Sequence, residues 1–317
     1  MIEQNINAIQ IREIYTLNML KCLEIDLLLN SGACSRIQYP YQNISSFSSK
    51  VNQLIGKNSS IYSVDTALMR LQLDHLLPLS VLSALAGSAS MNLSLSDYIT
   101  RQRGATQASN PPNLMIPLWS KDNGTICRSL FVIADSFRDL DEILSLDPLT
   151  VDIDDLIIRG ELEEVLSHLK QLNKYKIGMY INLGAYDIAS IGVIIKALSI
   201  VTIIDTYDPN LSEQKVLLHH RYAPQIRIIN DIQDDEHYST DIYMQDKDIL
   251  TLSYIMDSVA HLTQKSKSCI LIHRTLKGVL ASTLVDISCA LGITSIYISN
   301  PRSEEASQIY NQLIRMG

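Results

Sequence analysis

An α/β fold is predicted, with a small N-terminal α+β domain over residues 1–105 and an eight-stranded (β/α)8 barrel of the TIM type over 112–317. Three observations predict it. Residues 6–40 carry short alternating or apolar runs joined by tight connections, and residues 50–98 change to a helical period. Beyond residue 113, about eight short apolar runs follow one another, the later ones separated by helical patterns. A doubly wound sheet is the structural alternative, although no glycine-rich turn follows the first of these runs.

The elements follow in order. "NAIQIREIY", "KCLEIDLLL" and "SRIQYP" read as strands, with a turn at Ser31-Gly32. Cys22, Glu24 and Asp26 alternate with Leu23, Ile25 and Leu27, the pattern of a half-buried strand. Residues 45–49, "SSFSS", read as a loop. Helices are expected in "SVDTALMRLQL", "LPLSVLSALAGSASM" and "SLSDYIT", the last capped by Ser94 or Ser96. The polar stretch 101–113, containing Pro111-Pro112, is the expected domain boundary. Strands are then expected at 114–119, 129–134, 176–182, 199–205, 225–231, 241–246, 268–274 and 295–299. Helical patterns lie in "LSEQKVLLHHR", "LSYIMDSVAHLTQK" and "LASTLVDISCALG".

Composition narrows the function classes. The 317 residues are 46% hydrophobic and 19% charged, with a formal net charge of -8, so nothing electrostatic favours nucleic acid. No apolar run approaches the roughly 18 residues that span a bilayer, and the N-terminus has no apolar leader core. No membrane partner is expected. The five cysteines are scattered and lack CxxC spacing, so buried reduced thiols in a cytoplasmic protein are expected rather than disulfides or zinc.

"SCILIHRTLKG", residues 268–278, ends an apolar run on His273-Arg274, with Thr275 next. In a parallel barrel the carboxyl ends of strands are where chemistry is placed. Together with "VDISCALGITSIYISNPRSEEASQIYNQLIRM", this stretch resembles the last strands and final helix of the enolase family, which reads approximately SHRSGE, GQIKTG, RSER and YNQLLRIEE. "INAIQIREIYTLN" and "CLEIDLLLNSGACSRIQYP" resemble that family's opening strand and hairpin. "DTALMRLQLD" and "LSVLSALAGSASMNLSLSDYI" resemble its N-terminal helices. The resemblance covers most of the chain in order, and implies an enolase-like N-terminal α+β domain followed by that family's irregular barrel.

Carried over residue by residue, the resemblance implies lost chemistry. Enolases dehydrate 2-phosphoglycerate with magnesium held by carboxylates, a lysine base and a glutamate acid; magnesium needs hard oxygen ligands. The three ligand positions correspond to Tyr180, Ile204 and Asn230, with Asp205 and Asp231 as neighbours. A phenol, an alkyl group and an amide make no magnesium site, and a one-residue slip rescues only the third, through Asp231. The two lysine positions correspond to Gln245 and Tyr297; a carboxamide cannot serve as general base. Lys247 lies two positions beyond Gln245, and Asp154 in "VDIDDLI" is the nearest match to the acid-bearing loop. The family's mobile lid and histidine loop have no counterpart in "YQNISSF" and "SKDNGTICRSLF".

What survives is His273, Arg274 and Thr275, which the resemblance assigns to holding the substrate's phosphate and carboxylate, a task suited to guanidinium geometry. The alternative is that Arg274 pairs with Asp205 or Asp231 while His273 is a satisfied core residue. His237 with Asp234 and Asp235 is a weaker metal candidate, set against the ordinary behaviour of solvated loop acids. The expectation is an enolase-like pseudoenzyme with no catalytic residues, no metal and no cofactor. It would act as a scaffold, regulatory or subunit-partner protein, as a homodimer or a heterodimer with a true enolase. The alternative is residual binding of, or metal-independent lyase chemistry on, a phosphorylated carboxylate through His273 and Arg274.

Overall fold

The computed structural model describes residues 4–15, 20–122, 127–134, 176–180, 201–204, 226–231, 241–245, 251–265, 268–273, 281–298 and 303–316, with isolated helical positions at 189, 192, 217, 218, 220 and 221. The chain opens with an antiparallel sheet of β1 (Ile6–Tyr15), β2 (Lys21–Leu29) and β3 (Cys34–Pro40), in the order β1-β2-β3. Its alternation separates two faces. Leu23, Ile25, Leu27 and Leu29 point into a core shared with Phe47, Val51, Val64, Leu68, Leu79 and Leu82. On the other face Asp26, 8% exposed, takes hydrogen bonds from both Arg12 and Arg36, while Arg12 also meets Glu24 at 3.4 Å. Two guanidiniums around one shielded carboxylate offset its desolvation.

Helices α1 (Ile44–Val51), α2 (Ile61–Leu68), α3 (Leu77–Ser90) and α4 (Leu95–Gln102) cover the apolar face. The loop expected at 45–49 is instead inside α1. Asn43 accepts the Ser46 amide at 3.2 Å as its cap, and Phe47 and Val51, four residues apart, bury the helix's inner face. Tertiary burial outweighs the serine-rich composition here. Of the two expected caps, Ser94 is the one that caps α4, through Asp97 N–H at 3.0 Å. α4 ends where Gly104 takes φ +74° and Ala105 N–H returns to the Thr100 carbonyl at 3.0 Å, a glycine-terminated helix end. His75 lies exposed in the segment before α3, where its carbonyl accepts the Tyr39 hydroxyl at 2.8 Å.

The second sheet contains β4 (Asn113–Asp122), β5 (Cys127–Ala134), β6 (Lys176–Tyr180), β7 (Val201–Ile204), β8 (Ile226–Asp231), β9 (Asp241–Gln245), β10 (Ser268–His273) and β11 (Ser295–Ile298). Their order is β6-β5-β4-β11-β10-β9-β8-β7. β5 is antiparallel to β4 and β6, and every other paired neighbour is parallel. β6 and β7, at the two ends of this order, also approach each other with Cα atoms within 8 Å. Seven strands therefore share one direction, and only β5 is reversed.

Three helices complete the described residues: α5 (Leu252–Gln264) between β9 and β10, α6 (Ala281–Leu291) between β10 and β11, and α7 (Glu304–Met316) after β11. α4 packs on α6, and α2 and α3 pack on α5. Ser109 N–H donates to the Cys289 carbonyl at 2.8 Å and Asn113 N–H to that of Thr294 at 3.0 Å, tying the proline-containing connection to α6 and the strand after it. Of the cysteines, Cys22, Cys269 and Cys289 are buried free thiols, but Cys34 is exposed at the start of β3, where the register with Leu28 turns its side chain away from the helices. Among the described residues no single helix is long and apolar enough to cross a membrane.

Candidate functional site

β6 ends at Tyr180, β7 at Ile204, β8 at Asp231, β9 at Gln245 and β10 at His273. Seven strands run the same way, so their carboxyl ends gather along one edge. Tyr180 is the last residue of β6, beside Ser129 of β5. Ile204 ends β7 opposite Ile229 of β8, and Asn230 and Asp231 end β8 opposite Ile242 and Tyr243 of β9. Gln245 ends β9 opposite Ile272 of β10, and His273 ends β10 opposite Ile298 of β11.

One register row carries the geometry furthest. Gln245 pairs with Ile272, Ile272 with Tyr297, and Tyr297 with Met115 of β4. The positions of Gln245 and Tyr297 thus lie one strand to either side of β10, one residue below His273. Tyr297 is 1% exposed, among the largest fully buried side chains described. A phenol packed to that degree occupies volume at the edge and is closed to solvent.

Arg274, Thr275, Asp205, Lys247, Asp154, Asp234, Asp235 and His237 lie outside the described residues. Of the three residues the resemblance assigns to holding an anion, only His273 is among the described residues, with its backbone at the edge. Among the described residues no group of three or more His, Cys, Asp or Glu is close enough to hold a metal ion. Tyr180, Ile204 and Asn230, which the resemblance matches to metal ligands, carry a phenol, an alkyl group and an amide.

No family model matches the chain, and no curated protein matches it either.

Two buried acids escaped sequence reasoning, Asp65 on α2 and Asp286 on α6. The signal for Asp65 was present: it falls on the stripe formed by Ile61, Val64 and Leu68. Asp286 sits between α6 and α7, where the Gln312 side-chain amide donates to its two oxygens at 3.2 and 3.1 Å. Burial raises its carboxyl to about 6, with the Gln312 hydrogen bonds pulling the other way. The same burial, helped by the Asp286 charge, pushes the Cys289 thiol up to about 12, which leaves it inert. A folded value above the unfolded one means that the stability linked to Asp286 is complete below about 4 and is lost as pH rises through about 6. Asp286→Asn, which cannot ionise, should therefore stabilise the protein at pH 7.5 by on the order of 2 kcal/mol and have little effect at pH 4. Urea denaturation at the two pH values reads this difference.

Proposed function

We propose that the chain is an enolase-like pseudoenzyme. In this reading residues 1–105 form the small α+β domain, and residues 112–317 close their eight strands into an irregular (β/α)8 barrel. The cyclic strand order, in which β11 pairs with β4 and β6 lies beside β7, supports closure, and reversed β5 supports irregularity. The protein serves as a scaffold, regulatory or subunit-partner protein, as a homodimer or paired with a true enolase, and works without a cofactor.

The observation that carries this reading is the row Gln245–Ile272–Tyr297. Both positions where the resemblance expects lysines are adjacent to His273 at the strand-end edge, and they hold an amide and a buried phenol. The first cannot take a proton at any useful pH, and the second is sealed from substrate. With Tyr180, Ile204 and Asn230 at the ligand positions, the edge offers neither the metal nor the base that enolisation requires.

Calorimetric titration of the purified protein tests this. Magnesium should give no saturable heat, alone or with phosphoenolpyruvate; stoichiometric, phosphoenolpyruvate-dependent magnesium binding would contradict the reading. A second reading keeps an anion clamp at the end of β10, favoured by the position of His273 at the shared edge. It predicts metal-independent heat with phosphoenolpyruvate that Arg274→Ala abolishes. Equal binding by that variant removes the clamp.

A further inference from the structure

Asp65 lies at a seam between the N-terminal helices and α5. It is 2% exposed, and its Oδ2 accepts the Ser253 amide, 188 residues away in sequence, at 2.7 Å. Beside it, Ser80 of α3 accepts the Leu252 amide through Oγ at 3.0 Å, and Thr251 accepts that of Tyr254 at 3.3 Å. A helix start leaves four amides without intrahelical partners. At α5 three are met by side chains, two of them supplied by α2 and α3.

The arrangement lacks a counter-charge. Asp65 Oδ1 has no hydrogen-bond partner, and none of the ion pairs among the described residues includes Asp65. The groups around it are Ser80 of α3 and Thr251 and Ser253 of α5, all neutral. On its own helix Tyr62 precedes it by one turn and donates to Asp257 Oδ1 of α5 at 2.9 Å, so a second carboxylate stands behind that phenol. Arg103, after α4, acts on Tyr62 rather than on Asp65, and its guanidinium donates to the Ala290 carbonyl. Burial without a counter-ion works against the carboxylate, while the Ser253 amide at the start of α5 works for it. When protonated, one oxygen keeps the Ser253 amide and an O–H on the other can donate to a neighbouring hydroxyl.

We propose that Asp65 is a proton-operated latch, which holds α5 against α2 and α3 when neutral and loosens that seam when ionised. Because α5 follows β9 in the chain, the latch lies on the segment that leaves the strand end carrying Gln245. Burial holds the Asp65 carboxyl above its ordinary value, and the surrounding hydroxyls and the Ser253 amide pull the other way. The sign follows: the seam is tightest below the ordinary carboxylate range and weakens as pH rises through the raised folded value. This inference is independent of the enolase-like reading.

Hydrogen exchange of the full chain from about pH 3.5, below the ordinary carboxylate range, up to pH 8, corrected for intrinsic rates, tests the latch in peptides covering 251–256. Protection in the wild type should fall several-fold across that range. It should stay flat in Asp65→Asn, which keeps an acceptor for Ser253 but cannot ionise. Ser80→Ala should lower protection by a constant factor and keep the slope. A flat wild-type profile, or an equal slope in Asp65→Asn, overturns the proposal. Carboxyl-carbon NMR of aspartate-labelled wild type decides independently of any variant: Asp65 must titrate above the range of exposed aspartates, and an ordinary inflection overturns the latch.

Discussion

Gly87→Ala should destabilise the N-terminal layer by about 1–3 kcal/mol, against the usual gain of about 1 kcal/mol when alanine replaces glycine inside a helix. Gly87 lies buried in the last turn of α3, against Tyr98 of α4. A Cβ there would stand 2.5 Å from the Tyr98 hydroxyl, 2.7 Å from Cζ and 3.1 Å from Cε2. Tyr98 is 3% exposed and closely packed, so its ring has no free volume to retreat into. The clash therefore outweighs propensity. Tyr98→Phe removes the nearest atom but leaves Cζ, so the pair Gly87→Ala/Tyr98→Phe should recover part of the loss. Urea midpoints of the two single variants and the double variant measure the coupling, and strict additivity would show that the ring moves aside freely.

The strands of the second sheet were legible because most carry a short apolar-rich core, a signal that survives without any alignment. β9 as "DIYMQ" and β10 as "SCILIH" end within a residue of their expected limits. The reversal of β5 was written in spacing. Only Asn123-Gly124-Thr125-Ile126 separate it from β4, far short of the dozen residues of a parallel crossover, and Asn-Gly is a hairpin signature. Helix α1 was not legible, because two apolar anchors and a serine-rich remainder carry no period until the core supplies a surface for Phe47 and Val51.

The candidate site divides in the same way. That Tyr180, Ile204 and Gln245 lie near the ends of strands was legible, although the expected limits at 182, 205 and 246 run one or two residues past the observed ends. That Gln245 and Tyr297 share a register row around Ile272 follows only from strand order, which is a tertiary property. The buried acids show the same limit. Asp65 could be placed on the apolar stripe of its helix, but its partners on α5, and the Gln312 partner of Asp286, come from elsewhere in the chain and were not legible locally.

Loss of hydratase chemistry is the other large expected effect. Magnesium and a positioned base each lower the barrier to proton abstraction next to a carboxylate, and general-base action alone contributes typically 10²–10⁴-fold. In the proposed enolase-like reading, the metal-ligand positions at the strand-end edge hold Tyr180, Ile204 and Asn230, and the base positions hold Gln245 and Tyr297. Arg274 and His273 can supply charge to an anion, but neither replaces a metal at the developing enediolate. Residual turnover should lie many orders of magnitude below that of an enzyme with both parts. The direct measurement is the formation of phosphoenolpyruvate from 2-phosphoglycerate by the purified protein, with and without magnesium. No turnover above the protein-free background is predicted under either condition; magnesium-dependent turnover that follows protein concentration would contradict the account.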